Sequence, residues 1–376
     1  MSIRRVHITL FLSVFIPIFL NDGLPCHAQE LDTRFEIKKV SPLFQKDTLS
    51  LCFMGDIMMH TKQIETALKT DGKDDFSTYF SLMKGRIREA DLAVANMEFT
   101  LAGKPYTGYP CFSAPDEAAA YIADCGFDVF LCANNHIFDK GGDGASRTLS
   151  LYRELEGSHG IRVTGLAGSE DERCRNTPLT MLRKGIRLAF INFTYGTNSG
   201  SGTHWPKTNY MSDTALLEKA MEKAEKEADI TIVLPHWGTE YQLTHSRKQE
   251  DMAKWLTEKG ADIIIGTHPH VIQDTAHINN VQVAYSLGNA VSNMSAQNTQ
   301  LELMATLRIV RETNGDLKIL PLEFTWLWCS RPGGFCDDFI VVPVEEYADK
   351  DEEWLDIQDH RKMMRTYNSV KDKTDL

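Results

Sequence analysis

The 376-residue sequence has little proline and little glycine, with 13 and 25 residues respectively, and it contains no internal repeat. Hydrophobic residues make up 42% of the chain and charged residues 24%. This composition excludes a collagen-like or disordered protein and is typical of a globular one. Length alone allows about two domains, but no long linker interrupts the chain, so we expect one large domain.

Basic residues are also fewer than acidic ones. The chain has 40 Lys and Arg and 52 Asp and Glu, so its formal net charge is −12. Neutralising the phosphates of nucleic acid requires clustered cations. We therefore expect no nucleic-acid partner, and an anionic membrane surface is a poor partner for the same reason.

Long apolar runs are missing after the first twenty residues. Arg4 and Arg5 precede the run Val6 to Leu20, which spans 15 residues, whereas a membrane helix needs about 20. A basic start, a short apolar run and then Cys26-His27-Ala28 predict a secretory signal peptide over residues 1–28 and an extracytoplasmic protein. A retained N-terminal anchor is the alternative, and it would be the one expected contact with a membrane.

The eight cysteines include no C-x-x-C pair, so the sequence does not support a zinc knuckle or a thioredoxin-type site. Cys52 and Cys132 lie in apolar segments and are expected to be buried thiols. Cys329 and Cys336 flank a Pro-Gly-Gly turn and could form a disulfide in an oxidising compartment.

Short apolar runs alternate with helix-period segments from residue 49 onward. The runs lack polar alternation, as expected for strands of a sheet that is covered on both faces. This order favours a layered α/β fold with much parallel sheet, followed by an antiparallel hairpin and, over residues 346–376, a polar helix and tail. The predicted strands are Leu49–Met54, Leu92–Ala95, Phe127–Cys132, Leu188–Phe193, Ile230–Leu234, Ile263–Ile265, Val281–Tyr285 and the hairpin Leu301–Val310 with Leu317–Leu322. The predicted helices are Phe76–Ala90, Ala118–Cys125, Ala145–Leu155, Thr214–Glu227 and Arg247–Glu258.

Polar side chains follow nearly every predicted strand. Ligands of such sheets bind outside the carboxyl ends of the strands, so these side chains can converge although they are far apart in the sequence. Two carboxylates, an Asn and several His suit divalent Zn, Mn or Fe. The segments are Gly55-Asp56, Asn96-Met97-Glu98, Asn134-Asn135-His136 with Asp139, His236-Trp237-Gly238 with Glu240, Gly266-Thr267-His268-Pro269-His270 and Ser286-Leu287-Gly288-Asn289.

Two of these segments allow local predictions. Pro269 should favour an extended backbone at His268, and the alternation of an extended chain would then point the rings of His268 and His270 to the same side. Asp139 is expected to cap the helix that begins near Ala145, with a supporting contact to His136 as the other interpretation.

Taken together, the segments resemble the CapA family of bacterial poly-γ-glutamate capsule biosynthesis proteins, over roughly Leu49 to Val291. The resemblance implies a calcineurin-like metallophosphoesterase fold, a four-layer α/β/β/α sandwich spanning about residues 45–345, with a dinuclear site at the strand ends. The residues that carry it are Gly55-Asp56, Asn96-x-Glu98, Ala133-Asn134-Asn135-His136-x-x-Asp139-x-Gly141, His236-Trp237-Gly238-x-Glu240-Tyr241, Gly266-x-His268-Pro269-His270-Val271-x-Gln273 and Tyr285-Ser286-Leu287-Gly288-Asn289.

The same resemblance implies roles for individual residues. His136 matches a catalytic acid or transition-state stabiliser, with Asp139 beside it. The first ligand motif of phosphoesterases is Asp-x-His. This chain has Asp56 at the first position of that motif and Met58 at the third, so one metal lacks a usual ligand. Substrate contacts are expected from Glu240, Tyr241 and Asn289. The implied ligands of two divalent metal ions are Asp56, Glu98, Asn135, His236, His268 and His270.

The expected function is therefore that of a metal-dependent hydrolase or transferase in capsule or poly-γ-glutamate biosynthesis. Its expected partners are an anionic envelope polymer or the synthase complex that makes it. Two alternatives stay open: a non-catalytic factor for polymer binding, export or assembly, and a general metallophosphoesterase.

Overall fold

The computed structural model describes residues 47–68, 74–200, 204–374 and 376. The predicted signal peptide lies outside these residues. Most predicted strands are present with bounds that shift by a few residues, and Ile263–Ile265 matches at both ends. The strands in chain order are β1 (Asp47–Ile57), β2 (Leu92–Met97), β3 (Val129–Leu131), β4 (Arg162–Thr164), β5 (Leu166–Ala167), β6 (Leu179–Arg183), β7 (Ile186–Thr194), β8 (Lys207–Thr208), β9 (Ile230–His236), β10 (Ile263–Ile265), β11 (Thr275–Ile278), β12 (Val281–Ala284), β13 (Leu301–Arg311), β14 (Leu317–Ile319), β15 (Glu323–Ser330) and β16 (Ile340–Pro343).

One predicted helix is shorter than expected. The segment Phe76–Ala90 is α-helical only from Lys84, because the residues before it form successive tight turns closed by i to i−3 hydrogen bonds, such as Met83 N–H to the Phe80 carbonyl at 2.9 Å. The helices are α1 (Thr61–Ala67), α2 (Lys84–Glu89), α3 (Asp116–Cys125), α4 (Gly141–His159), α5 (Glu170–Asn176), α6 (Thr214–Glu227), α7 (Arg247–Glu258), α8 (Val344–Tyr347) and α9 (Ile357–Thr374), with a 3₁₀ turn at Asp351–Glu353.

The strands form two large sheets, each with a parallel centre. In the first sheet the order is β16-β15-β13-β1-β2-β3-β4, and β14 pairs with β13 as the predicted hairpin. Strands β1 to β4 are mutually parallel. The second sheet has the order β11-β12-β10-β9-β7-β6, with β7, β9, β10 and β12 parallel. Parallel centres bring the loops after these strands to one edge of each sheet.

Apolar side chains divide the molecule into four layers. One buried cluster lies between the sheets and joins residues such as Leu51 and Val94 of the first sheet to Phe190 and Ile232 of the second. A second cluster packs α2, α3 and α4 on the outer face of the first sheet, and a third packs α6 and α7 on the outer face of the second. The α/β/β/α sandwich expected from the resemblance is confirmed.

The C-terminal segment is helical, as predicted, and it packs against the sandwich. Met363 and Val370 of α9 are buried in the cluster between the two sheets. The helices within the described ranges are all too short or too polar to span a bilayer.

The cysteines give one correction. Cys52 and Cys132 are buried thiols, as expected, but Cys329 and Cys336 are also free. The two thiols have different neighbours, since Cys329 Sγ lies 3.5 Å from the Ser292 carbonyl and Cys336 Sγ lies 3.5 Å from the Asp338 carbonyl. The predicted disulfide between them is wrong for this structure.

Candidate metal centre

The polar segments converge where the parallel strands of the two sheets end. Asp56 is the second-to-last residue of β1, and its N–H donates to the Gly288 carbonyl at 3.0 Å. The Met58 N–H donates to the Val291 carbonyl at 2.9 Å. On the second sheet, His236 at the end of β9 pairs with Thr267 after β10. These backbone links fix the loops that carry the predicted site residues.

Two carboxylates occupy the centre of the site and are fully buried. Asp56 is held on both oxygens, because Oδ1 accepts from Asn96 Nδ2 at 2.7 Å and Oδ2 accepts from the His268 N–H at 3.1 Å. Glu98 has no hydrogen-bond partner on either oxygen among the residues that the structure describes. Its Oε1 lies 3.7 to 3.9 Å from the nearest Nε2 atoms of His136, His236 and His270. A carboxylate ringed by imidazoles at this spacing leaves room for a cation between them.

The predicted histidines surround these carboxylates. His236 Nε2 lies 2.9 Å from Asn135 Oδ1, and its Nδ1 lies 2.9 Å from Thr267 Oγ1. His268 Nδ1 is buried and has no hydrogen-bond partner. The rings of His268 and His270 have centroids 5.7 Å apart.

The backbone of the His-Pro-His segment differs from the prediction. His268 has φ of 100° and His270 has φ of 59°, so neither is extended. Both rings nevertheless face the site, because two positive-φ residues turn the chain sharply on either side of Pro269. Positive φ in a non-glycine residue is uncommon and is often found at functional sites.

The donor set fits a divalent metal. Two groups of buried side chains have ligand atoms within 4.8 Å of one another, namely Glu98, His268 and His270, and Asp56, Glu98 and His236. Glu98 belongs to both groups, as a bridging carboxylate would. Both oxygens of Glu98 and the Nδ1 atom of His268 are buried without a hydrogen-bond partner among the described residues. A cation bound between the carboxylates and imidazoles would satisfy these atoms.

The pKa shifts of Asp56, His236 and His268 agree with that fit. Burial acts to lower the pKa of His270, but the hydrogen bond and the charge of Asp56 outweigh it and raise this pKa. Burial, followed by the neighbouring Asp56 charge, raises the pKa of Glu98 well above its usual range. Burial also acts to raise the pKa of Asp56, but a hydrogen bond from His270 and the charge of His236 outweigh it and hold this pKa below its ordinary value. Burial lowers the pKa of His236 to about 3 and that of His268 well below its ordinary value. Neutral imidazole is the form that binds metal.

His136 and Asp139 form a pair beside the carboxylates. His136 Nδ1 lies 2.7 Å from Asp139 Oδ2, and the same oxygen accepts the Phe112 N–H at 2.8 Å. The Phe112 ring meets the His136 ring edge to face, with centroids 4.6 Å apart. Asp139 does not cap a helix, because α4 begins at Gly141 and its N-cap, Lys140, has no side-chain cap. The contact to His136 is thus the interpretation that the structure supports.

A cavity of about 320 Å³ opens onto this cluster. Its walls include Met58 and, among the predicted site residues, Asn135, His136, Asp139, Glu240, Tyr241 and His270. Asn289, expected to contact substrate, is fully buried and is not part of these walls. Its Oδ1 lies 2.9 Å from His270 Nδ1, so it orients a candidate metal ligand.

Four further residues belong to the site, although the sequence analysis assigned them no role. Asn96 holds Asp56, and Thr267 lies beside His236. Tyr195 places its ring 4.4 Å from the ring of His268, and Asn198 Nδ2 lies 3.4 Å from His136 Nε2. Asn96 and Thr267 lie inside the polar segments that follow predicted strands, and Tyr195 directly follows β7. Position at a strand end is therefore the signal that could have identified these three residues.

Comparison with known proteins agrees with this geometry. Residues 50–294 match the family described as "Bacterial capsule synthesis protein PGA_cap". The chain is 26% identical over 290 residues to the "PGA biosynthesis protein CapA" of Bacillus subtilis (strain 168), covering 74% of this chain and 73% of the relative. It is 28% identical over 292 residues to the "Capsule biosynthesis protein CapA" of Bacillus anthracis, covering 74% and 68%.

Solved structures are more distant. The NAD nucleotidase (NadN) of Haemophilus influenzae gives a TM-score of 0.47 at 15% identity, over 88% of this chain and 68% of that one. A solved Staphylococcus aureus protein gives a TM-score of 0.49 at 14% identity over 74% of this chain and 54% of its own, so the chain spans about half of that structure's length. On the family match and the two relatives, the chain belongs to the bacterial capsule synthesis protein PGA_cap family.

Proposed function

We propose that this protein is a metal-dependent hydrolase or transferase that acts on an anionic polymer of the poly-γ-glutamate class during capsule biosynthesis. The single observation that carries the proposal is the buried cluster around Glu98. Neither of its oxygens has a hydrogen-bond partner among the described residues, and its Oε1 faces three imidazoles. Membership of the capsule synthesis family supplies the polymer class.

The residues that would hold divalent ions are Asp56, Glu98, Asn135, His236, His268 and His270. Ions bound there supply Lewis-acid activation of a carbonyl or phosphoryl group. Mn²⁺, Zn²⁺ and Fe²⁺ all accept this mixture of carboxylate, amide and imidazole ligands.

His136 is the chain's own proton-transfer group in this proposal. Asp139 fixes its Nδ1 side, which leaves Nε2 on the side of Glu98 and the cavity. A protonated His136 would donate from Nε2 to the leaving group of the scissile bond, and the Asp139 charge would stabilise the proton on the ring. The Phe112 ring, packed edge to face, restricts the rotation of the imidazole.

We further propose that the protein works outside the cytoplasm, where a capsule polymer is assembled, with residues 1–28 as signal peptide or anchor. The synthase complex is the proposed protein partner. Epitope detection on intact cells, with and without permeabilisation, tests this location.

Met58 favours a second candidate, a non-catalytic factor for polymer binding, export or assembly. It lines the cavity at the position where phosphoesterases carry a histidine ligand. The two candidates differ in what the loss of the metal ligands should do to the polymer.

A complementation experiment separates the two candidates. The full-length wild-type gene and the Asp56→Ala/His268→Ala variant are expressed in a capsule-forming host that lacks its own gene of this family. Glu227→Gln serves as the matched control, because this residue is exposed at the end of helix α6. We expect polymer with wild type and control and none with the double variant at equal protein level. Normal polymer with the double variant would instead establish the non-catalytic role.

A further inference from the structure

The cavity at the candidate metal centre is lined by anionic and aromatic groups. Among the described residues that line it there is neither Lys nor Arg. Asp139 is engaged with His136, but Glu240 forms no ion pair within the described part of the chain. A partly buried carboxylate without an ion pair at the wall of a binding cavity can pair with a cationic group of a ligand.

Tyr109 and Tyr241 line the same cavity as this carboxylate, and the ring of Tyr195 packs against that of His268. Burial, and then the charge of Glu240, raises the pKa of Tyr241 to about 12 and raises the pKa of Tyr195 as well. Tyr241 is 42% exposed and Tyr195 is 40% exposed, and Tyr109 on the cavity wall is 70% exposed. Tyr109 and Tyr241 are two of the six exposed large hydrophobic side chains of the described residues, and both lie at this cavity. Their grouping at one opening indicates a ligand-binding surface.

Tyr241 and Tyr195 both contact the His268-Pro269-His270 segment of the candidate metal centre. The Tyr241 N–H donates to the Pro269 carbonyl at 2.8 Å, between His268 and His270. The ring of Tyr195 lies 4.4 Å from that of His268. A group bound between Tyr241 and Glu240 would therefore be held at a fixed position relative to the candidate metal centre.

The chemistry of these groups selects for an ammonium ion. A carboxylate attracts an ammonium group through a charge-assisted hydrogen bond, and aromatic faces attract it through cation–π interaction. A carboxylate of the polymer would be repelled by Glu240 at the same place. Every residue of poly-γ-glutamate carries a carboxylate, but only the amino terminus of the polymer carries an ammonium group.

We propose that Glu240, with Tyr241, binds the terminal ammonium group of an anionic γ-linked peptide, so that the site works at the amino end of the polymer. This inference rests on the proposed function and specifies the end of the substrate. A cavity of about 320 Å³ is at the small end of the range for ligand sites, which suits a chain end. End recognition also explains how a protein of net charge −12 engages a polyanion.

The test uses three γ-linked glutamate pentamers that differ only at the amino terminus: free, N-methylated and N-acetylated. N-methylation adds bulk and keeps the charge, whereas acetylation removes the charge. Titration calorimetry measures their binding to the full-length protein loaded with Mn²⁺. We expect the free and N-methylated pentamers to bind wild type about tenfold more tightly than the acetylated one, as for a charged hydrogen bond at a partly buried site.

Variants then assign the preference to Glu240. Glu240→Gln should bind all three pentamers with the affinity that wild type shows for the acetylated one, and Glu227→Gln should behave like wild type. Should Glu240→Gln fail to fold, Tyr241→Leu removes one aromatic face and should reduce the preference several-fold. Equal affinity of wild type for the three pentamers overturns this inference and leaves the proposed function intact. No binding of any pentamer overturns both.

Discussion

Asp139 Oδ2 lies 2.7 Å from His136 Nδ1 and accepts the Phe112 N–H at 2.8 Å. One buried oxygen therefore fixes both the imidazole and the loop segment that packs against its ring. Asp139 Oδ1 has no hydrogen-bond partner, so the carboxylate acts on His136 through this one oxygen and through its charge.

Asp139→Asn is expected to lower polymer formation by roughly 100-fold, the size of a general acid–base contribution, while metal content stays at the wild-type level. The amide oxygen can keep both hydrogen bonds, but the negative charge that stabilises protonated His136 is lost. Polymer yield in the complementation host and metal content by mass spectrometry are the two measurements. Wild-type yield at equal protein level would show that the charge of Asp139 is not needed.

Met58→His is expected to tighten the binding of a second equivalent of Zn²⁺ by about tenfold or more, because it adds an imidazole at a cavity wall beside His270. Competition with a chromophoric chelator measures this affinity. Met58→Leu is the matched control, since it removes the thioether and adds no ligand. If the two variants bind zinc equally, position 58 does not contribute to the metal centre.

Gly55→Ala is expected to destabilise the protein by about 3 kcal/mol. A Cβ at this position would lie 1.9 Å from the Gly288 carbonyl oxygen, which also accepts the Asp56 N–H. Gly85→Ala is the control, because a Cβ there meets no atom within 4 Å and alanine favours helix α2 by about 0.5–1 kcal/mol. Urea unfolding should thus show opposite signs, and equal stability of Gly55→Ala and wild type would contradict the close approach.

His60 should contribute to acid sensitivity. Burial lowers its pKa from the ordinary 6.5 to about 4, so between these values the unfolded chain binds a proton that folded His60 does not. Stability from this residue is complete above about pH 6.5 and falls by about 3 kcal/mol as the pH drops to about 4. His60→Asn keeps a side chain suited to the residue before helix α1 and removes the titration. Unfolding curves from pH 4 to 7 should be flatter for this variant, and parallel curves would show that His60 does not titrate as stated.

Much of the fold could be read from the chain because strand and helix periods differ. The continuous apolar runs of β1, β7 and β9 and the helix Thr214–Glu227 were predicted close to their observed bounds. The segment Phe76–Ala90 was not, since its aromatic residues are buried equally well by tight turns, and apolar spacing alone does not distinguish these from a helix.

The sequence by itself indicated most of the residues that meet at the candidate metal centre, because strands that run parallel end at a common edge and their polar end residues are visible as motifs. Only the tertiary structure decided how each one is used. Asn289 holds His270, Asp139 holds His136, and His268 and His270 turn inward through positive φ angles. The site also depends on contacts between segments far apart in the chain, such as that of His236 with Asn135, which lie 101 residues apart. No local pattern encodes the distance between two side chains on different strands.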